Sequence, residues 1–325
     1  MPLSTAATFD FNHMNLVPHK CVVDSRAECD TSVQIGGRRF KLPVVPANME
    51  CVIDENIAVA LASAGYFYIQ HRFNINVVEF ARKMHTLGLP ISISVGVNDA
   101  SRTELTQLVT AGLMPDYITI DIAHGHAVRM EHMIQWIREN IGAAVFIIAG
   151  NVSTANATRD LVAWGANAVK VGIGPGSACT TYDATGFGSR GIQAAAIAEC
   201  AAAVKGTEAL LVADGGITHP GDIAKALVLG AHVVMIGGMF SGLIDSPGKT
   251  VYDAAGHPFK EFWGSASAFQ SGKTTRIEGT KKLIPQKPRT YADEMKYLHE
   301  CLQSAISYGG GRNLDCFANV EYVIK

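Results

Sequence analysis

The chain has 325 residues, of which 48% are hydrophobic and 17% charged, and its net charge at pH 7 is −2. This composition is typical of a globular protein with a large core, and the nearly neutral charge gives no support for a nucleic-acid partner. No apolar run approaches the roughly 18 residues of a membrane-spanning helix, and no signal-peptide pattern opens the chain. The seven cysteines are odd in number and show no CxxC spacing, which is typical of a reducing compartment. We therefore expect a cytoplasmic protein without a nucleic-acid or membrane partner.

Strand-like and helix-like segments alternate after a polar, irregular stretch over residues 1–40. Strands are predicted over residues 42–47, 66–70, 91–95, 117–122, 144–149, 168–171, 210–213 and 233–236. Helices are predicted over 54–64, 77–87, 101–111 (with Ser101 as N-cap), 127–140, 154–164, 192–204, 219–229 and about 293–307. Most of the strands are continuous runs of Val, Ile and Ala, as in strands buried on both faces of a parallel sheet.

An internal repeat indicates how these units are arranged. The stretch 148–153 matches 212–217, and 165–172 matches 230–237, with offsets of 64 and 65 residues. This offset is the length of a pair of strand–helix units. A doubly wound sheet would also alternate strands and helices, but the repeated pair favours an α/β fold of the (β/α)₈ TIM-barrel type.

A glycine-rich loop with one cysteine follows the strand at 168–171. Its glycines allow backbone N–H groups to approach an anion, and Ser177 adds a hydroxyl donor. Cys179 stands where a thiolate could attack a bound ring, although a structural thiol is the alternative. Residues 245–291, rich in Gly, Ser, Lys and Pro, form an insertion before the last helix that we interpret as a functional flap.

Several stretches resemble the IMP dehydrogenase/GMP reductase family of barrels, in the family's order and over nearly the whole chain. They are Pro46-Ala47-Asn48-Met49, Ala149-Gly150-Asn151-Val152, Gly174-Pro175-Gly176-Ser177-Ala178-Cys179-Thr180-Thr181, Ala213-Asp214-Gly215-Gly216-Ile217 and Met235-Ile236-Gly237-Gly238. Within the family the chain is most similar to the reductases of Gram-positive-type bacteria. The resemblance implies a single (β/α)₈ barrel domain over residues 1–325.

Two features favour the reductases over the dehydrogenases of this family. Family dehydrogenases typically carry a paired CBS module near the second helix, and the stretch between His71 and Ile91 has room for one helix only. Their flap also carries an Arg-Tyr pair that activates water, and residues 245–291 contain none. A dehydrogenase without the CBS module, and a nucleotide-binding barrel without catalysis, remain the alternatives.

The resemblance implies NADPH-dependent reductive deamination of GMP to IMP and ammonia, in purine salvage. Cys179 would form the covalent bond to the purine, and Thr181 would act with a glutamate on the departing ammonia. The implied nucleotide-binding residues are Met49, Ser177, Asp214, Gly216, Gly237, Gly238, Ser265, Ala266 and Ser267. Family dehydrogenases usually have Ser where Gly238 stands, and Asp214 could instead be a turn or N-cap residue.

For the cofactor, the resemblance implies Asp121, Gly150 and Asn151. It also implies a monovalent cation such as K⁺, held by the carbonyls of Gly174, Gly176 and Cys179, and a homotetramer. The i, i+2 pair His124 and His126 has no third ligand of a metal site in view, so we expect these side chains to line a loop.

The glutamate partner of Thr181 has no clear match. Aligning the end of the last helix with those of related reductases places Ala292 at its position, and alanine cannot transfer a proton. We therefore expect an acidic neighbour to close on Thr181, and we favour Glu294 because its side chain is longer and Asp293 suits the N-cap of the helix. Asp293, or a group elsewhere in the chain, remains the alternative.

Overall fold

The computed structural model describes residues 8–325, which contain fourteen strands and eleven α-helices. The strands are β1 (Met14–Leu16), β2 (Val33–Ile35), β3 (Arg38–Phe40), β4 (Val44–Pro46), β5 (Ser92–Val95), β6 (Tyr117–Asp121), β7 (Phe146–Val152), β8 (Ala168–Val171), β9 (Leu210–Asp214), β10 (Val233–Ile236), β11 (Thr250–Tyr252), β12 (Pro258–Trp263), β13 (Lys281–Pro285) and β14 (Tyr322–Ile324).

The helices alternate with these strands along most of the chain. They are α1 (Glu55–Ser63), α2 (Val77–Thr86), α3 (Asp99–Thr110), α4 (Val128–Asn140), α5 (Ala155–Ala163), α6 (Thr181–Thr185), α7 (Gln193–Val204), α8 (Pro220–Val228), α9 (Gly238–Ser241), α10 (Ala268–Ser271) and α11 (Tyr291–Tyr308). None of the helices in residues 8–325 is both long enough and apolar enough to cross a bilayer.

Seven parallel strands form the central sheet, in the order β4-β10-β9-β8-β7-β6-β5. The first of these strands along the chain therefore pairs with the last, Val234 standing opposite Val44. β5, β8 and β10 are buried along their whole length; β10 is continuously apolar, as expected for a strand covered on both faces, while β5 also buries Ser92 and Ser94 and β8 buries Lys170. The α/β barrel fold predicted from the sequence is thus confirmed.

The predicted strand over residues 66–70 makes only one bridge, between Gln70 and Ile93. Here the Tyr68 side chain takes the place of ladder hydrogen bonds. The Ser92 N–H donates to Tyr68 Oη at 3.1 Å, and that hydroxyl donates to the carbonyl of Pro90 at 2.6 Å. The segment nevertheless lies beside β5 at the edge of the curled sheet, at the position of the eighth barrel strand.

Predictions for two other segments also differ from the structure. The stretch 1–40 is not irregular throughout, since it contains β1, β2 and β3; its first seven residues lie outside the described residues. The third helix begins earlier than predicted, because Asn98 rather than Ser101 caps it and accepts from the Ser101 N–H at 3.0 Å. Ser101 Oγ instead accepts from the N–H of Gly96.

The insertion over residues 245–291 contains a three-stranded antiparallel sheet, β11-β12-β13, and the short helix α10. We predicted a flap here without assigning strands. The sheet packs against the barrel through Phe262 and Trp263, which are both buried. The insertion therefore contains regular structure on the carboxyl side of the barrel, and its role as a flap stays a prediction.

Arg138 on α4 connects two neighbouring units at the opposite, amino side of the barrel. Its guanidinium donates to the carbonyl of Gly165 (2.6 Å), the carbonyl of Val145 (2.8 Å) and the side chain of Asn167 (2.5 Å). These residues lie just before β7 and β8. One charged group thus fixes the starting points of both strands.

We expect Arg138→Met to lower the free energy of unfolding by about 2–4 kcal/mol, because three oxygen acceptors lose a charged donor. Arg159→Met on α5 is the matched control, since Arg159 is exposed and, within residues 8–325, its side chain bonds only Asn156 one turn away. Its effect should stay within about 0.5 kcal/mol. Urea unfolding measures the free energy of unfolding of both variants. Equal losses in Arg138→Met and Arg159→Met would contradict the role of Arg138.

Candidate active site

A cavity of about 430 Å³ opens at the carboxyl ends of the barrel strands. Fourteen of the seventeen predicted site residues line it: Met49, Asp121, Asn151, Gly174, Gly176, Ser177, Cys179, Thr181, Asp214, Gly216, Gly237, Gly238, Ser265 and Ala266. Gly150, Ser267 and Glu294 do not. The structure thus brings together residues separated by more than 200 positions in sequence, as expected for loops that follow parallel barrel strands.

The Cys179 loop is held by a segment of the insertion that runs beside it like a strand. The Thr180 N–H donates to the carbonyl of Glu278 at 3.0 Å, and the Thr280 N–H donates to the carbonyl of Ala178 at 2.9 Å. Lys282 also donates to the carbonyl of Ser177. The loop that presents the thiol is therefore fixed by three hydrogen bonds to this segment.

Cys179, Thr181 and Glu278 form a continuous polar chain inside the cavity. Cys179 Sγ lies 3.2 Å from Thr181 Oγ1, and that hydroxyl donates to Glu278 Oε2 at 2.7 Å. Thr181 is buried, while Cys179 and Glu278 are half-buried. The chain links a thiol to a carboxyl group through one hydroxyl, an arrangement that can move a proton next to the sulfur.

The structure corrects the expectation that Glu294 closes on Thr181. Glu294 lies on α11 with 1% of its side chain exposed, and its carboxylate pairs with Arg289 at 3.2 Å and Lys287 at 3.9 Å. The carboxylate on Thr181 belongs to Glu278, thirteen positions before the first residue of α11. Counting back from the helix failed because β13 and its turns separate this glutamate from the helix.

The predicted cap of the last helix is corrected as well. Thr290 is the N-cap, and Asp293 is the third helical residue, whose carboxylate accepts from the Thr290 N–H (3.0 Å) and hydroxyl (2.7 Å). These hydrogen bonds lower the pKa of Asp293. The two residues thus form a capping box at the start of the helix.

A buried lysine, which the sequence analysis did not single out, connects Asp121 and Asp214. Lys170 Nζ lies 2.9 Å from Asp121 Oδ1 and 2.6 Å from Asp214 Oδ2. Burial by itself would lower the pKa of Lys170, but the two carboxylates outweigh it and raise the pKa above its ordinary value. Burial likewise would raise the pKa of Asp121, yet the ammonium lowers it. The sequence does contain a signal for this cluster, because Lys170 stands among apolar residues of a predicted buried strand and a buried charge requires a partner.

Asn151 is directed into the same cluster by an irregularity of β7. The register between β7 and β8 shifts between Gly150 and Val152, and the Asn151 amide donates to Asp214 Oδ2 (2.8 Å) and to the carbonyl of Gly172 (2.6 Å). Its Oδ1 is buried and has no partner among the described residues. One acceptor in the cavity is therefore available to a donor on a ligand.

Two glycines let the backbone approach closely around this cluster. A Cβ on Gly172 would lie 1.9 Å from the carbonyl oxygen of Asp214, and one on Gly150 would lie 2.6 Å from Cβ of Lys170. Gly172 also has φ of +145°, in the region that favours glycine. The predicted cofactor residue Gly150 thus packs against Lys170 in this structure instead of lining the cavity.

The residues predicted for the nucleotide occupy the rest of the cavity wall. Gly216, Gly237 and Gly238 come from the loops after β9 and β10, and Ser177 from the loop after β8. Ser265 and Ala266 come from the insertion. Ser267 is buried and caps α10, accepting from the Gln270 N–H at 3.1 Å. This side chain supports the wall without forming it.

All seven cysteines are unpaired, and among them Cys179 lines the cavity. Burial raises the pKa of the Cys51 and Cys200 thiols to about 12. At neutral pH those two groups are therefore neutral thiols within the core. Cys179 differs from them in its accessible position on the cavity wall.

Of the two loop histidines, His126 contacts residues of the neighbouring helix. His126 lies 2.8 Å from Asp160 and packs against the ring of Trp164. Neither His124 nor His126 is among the residues that line the cavity.

Comparison with known proteins agrees with this arrangement of residues. The family model "IMP dehydrogenase / GMP reductase domain" matches residues 7–324. The chain is 50% identical over 316 residues to a GMP reductase of Leptothrix cholodnii. This match covers 97% of this chain and 95% of the relative. It is 49% identical to a GMP reductase of Bacillus licheniformis and 50% identical to one of Streptococcus pneumoniae, each over 317 residues. Those matches cover 97% of this chain, and 95% and 94% of the two relatives.

The extent of these matches, together with the convergence of the predicted motifs on one cavity, shows that the chain belongs to the IMP dehydrogenase/GMP reductase family.

Proposed function

We propose that the protein is an NADPH-dependent GMP reductase that converts GMP to IMP and ammonia through a covalent bond between Cys179 and the purine. The observation that carries the proposal is the chain Cys179–Thr181–Glu278 in a cavity that also contains Asp214. The relatives named GMP reductase are about half identical to this protein over almost its full length, which supports the same reaction.

The nucleotide would bind with its ribose on Asp214 and its phosphate on the loops after β8, β9 and β10. Asp214 Oδ2 is occupied by Lys170 and Asn151, so the second oxygen can accept from the ribose hydroxyls. Ser177, Gly216, Gly237 and Gly238 can offer backbone N–H groups, and Ser177 a hydroxyl, to the phosphate. Met49, Ser265 and Ala266 would line the base, with Ser267 supporting that wall.

Cys179 would act as the nucleophile toward C2 of the purine. Its thiolate forms the C2–S bond, and the exocyclic amine departs as ammonia after it takes up a proton. Thr181 touches the sulfur and donates to Glu278, so these two residues are placed to deliver that proton. The C2–S bond finally breaks, and its electron pair returns to Cys179 as IMP forms.

NADPH would supply the hydride that takes the place of the departed amine at C2. The unpartnered Oδ1 of Asn151 fits a donor such as the carboxamide of a nicotinamide. Asp121, which is kept ionised by Lys170, fits a ribose diol on the same side of the cavity. Asn151 and Asp121 would therefore hold the cofactor, while Gly150 provides the space for Lys170.

Further parts of the proposal rest on the family resemblance. A monovalent cation such as K⁺ would bind the carbonyls of Gly174, Gly176 and Cys179; the Gly176 carbonyl accepts from the Cys179 N–H at 3.0 Å and keeps a second lone pair. We also propose a single-domain, cytoplasmic homotetramer acting in purine salvage. The seven unpaired cysteines support a reducing compartment.

We expect GMP with NADPH to consume the reduced cofactor, and IMP with NAD⁺ to give no lasting absorbance change. The reason is that residues 245–291 contain no Arg-Tyr pair to activate water against the covalent adduct. Absorbance of the reduced cofactor at steady state measures both reactions. Continuous formation of XMP would identify a dehydrogenase instead, and activity in neither assay would indicate a nucleotide-binding barrel.

We expect Cys179→Ala to abolish turnover while the affinity for GMP stays within about tenfold, or roughly 1.4 kcal/mol, since phosphate and ribose contacts do not involve sulfur. Cys21→Ala is the control, because Cys21 is an exposed thiol outside the cavity. Turnover and calorimetric binding of GMP are measured for each. Residual activity above a few per cent in Cys179→Ala would rule out covalent catalysis by this residue.

We expect Glu278→Gln to slow ammonia release by about 10²–10⁴, the usual contribution of a general acid, with little effect on GMP binding. Glu294→Gln should leave this rate within about threefold and instead lower the free energy of unfolding by about 1–3 kcal/mol, through its pairs with Arg289 and Lys287. Rapid-quench measurement of ammonia and urea unfolding separate the two roles. If ammonia release were slow in Glu294→Gln and unchanged in Glu278→Gln, Glu294 rather than Glu278 would be the general acid.

A further inference from the structure

Lys170 lies between Asp121, which we propose for the cofactor, and Asp214, which we propose for the nucleotide. Its ammonium contacts Asp121 on β6 and Asp214 on β9, and 3% of its side chain is exposed. We propose that Lys170 is a positioning residue for nucleotide binding, which holds Asp214 in place by neutralising its repulsion from Asp121. The inference rests on the proposed function in assigning Asp214 to the ribose.

The two carboxylates are close enough to repel each other strongly. Both contact the same nitrogen, so their nearest oxygens are separated by no more than the two contact distances together. Their side chains are 17% and 19% exposed, so solvent screens them little. Like charges at such separations cannot both remain ionised without a compensating cation.

The surrounding groups do not replace this cation. Asn151 donates to Asp214, and Asn48 helps to lower the pKa of Asp121, but both are neutral amides. Arg72 lowers the pKa of Asp121 from a greater distance, and it is an exposed side chain with no ion pair among the described residues. Lys170 is therefore the shared countercharge of the pair.

The backbone around Lys170 is built to hold it in this position. Gly150 on the neighbouring strand leaves no room for a Cβ, which would lie 2.6 Å from Lys170 Cβ and 2.7 Å from its carbonyl oxygen. The strands β7 and β8 thus meet closely at this point, and the lysine stem extends between β6 and β9. This geometry makes the ammonium a fixed group, unlike a surface lysine with many rotamers.

The proposal makes a specific claim about charge. Lys170 and the two aspartates together carry one net negative charge. Lys170→Met leaves two negative charges, whereas Lys170→Met combined with Asp121→Asn again leaves one. If charge balance is what Lys170 provides, removing a carboxylate that does not touch the nucleotide should restore nucleotide binding.

Equilibrium binding of GMP and of IMP, measured by calorimetry without cofactor, tests this claim. We expect Lys170→Met to weaken both affinities by at least about tenfold, the scale of one lost charged hydrogen bond. Lys170→Arg should recover part of the loss, and Lys170→Met/Asp121→Asn should recover most of it. If the double variant binds as weakly as Lys170→Met, or more weakly, the charge-balance role is overturned.

A matched control is available in Lys260 on β12. Its side chain is also buried, but in the described part of the chain Nζ donates only to the carbonyls of Ser246 and Gly248, and Lys260 does not line the cavity. Lys260→Met should keep nucleotide affinity within about twofold even where stability falls, since these hydrogen bonds involve no carboxylate. A tenfold loss in this control would show that affinity reports general damage and would overturn the interpretation.

The outcomes separate this inference from the proposed function. Should Lys170→Met fail to fold, the double variant decides, because its native charge balance predicts a folded protein with near-native affinity. A folded double variant with affinity more than tenfold below the native protein overturns the inference. If the native protein binds and reduces GMP while Lys170→Met binds it normally, only the inference fails; if the native protein binds neither nucleotide, the proposed function fails.

Discussion

The hydrogen bonds between β4 and β10 impose the constraint on which the site depends. They pair the first strand of the central sheet with the last, so the sheet curls and its carboxyl ends meet around one cavity. Met49 and Gly238 follow these two strands and both line that cavity, although nearly the whole barrel sequence separates them. The strands contribute apolar burial, and the loops that follow them contribute the chemistry.

Charge placement within this frame follows a second rule, that buried charges must compensate each other. Lys170 lies in a strand whose other residues are apolar, and it would be costly there without Asp121 and Asp214. The same contacts give each carboxylate one occupied and one available oxygen. The ion pair that stabilises the buried lysine therefore also leaves one oxygen of Asp214 available to the ribose.

Strand patterns and the 64–65-residue repeat were sufficient to predict the fold, because they arise from local burial. Most of the cavity residues were instead implied by the resemblance of their motifs to the family. It was less informative where side chains replace backbone hydrogen bonds, as with Tyr68 beside β5, since no pattern in the segment indicates that exchange. The assignment of Glu294 failed for a related reason. Helix ends can be located by their caps, but the number of residues between a helix and a loop carboxylate depends on how the insertion folds.

The insertion explains why the carboxylate comes from so far along the chain. The barrel supplies Cys179 and Thr181 on one loop, and that loop has backbone donors and acceptors which its own short helix does not use. Residues 278–280 satisfy them by pairing with residues 178–180, through the bonds of Thr180 and Thr280. This pairing fixes the register of the insertion on the loop and, with it, the position of the Glu278 side chain 2.7 Å from Thr181. Backbone pairing therefore sets the geometry of the proton-transfer chain, so a change in the length of the insertion between β12 and residue 278 would alter the chemistry before it altered the barrel.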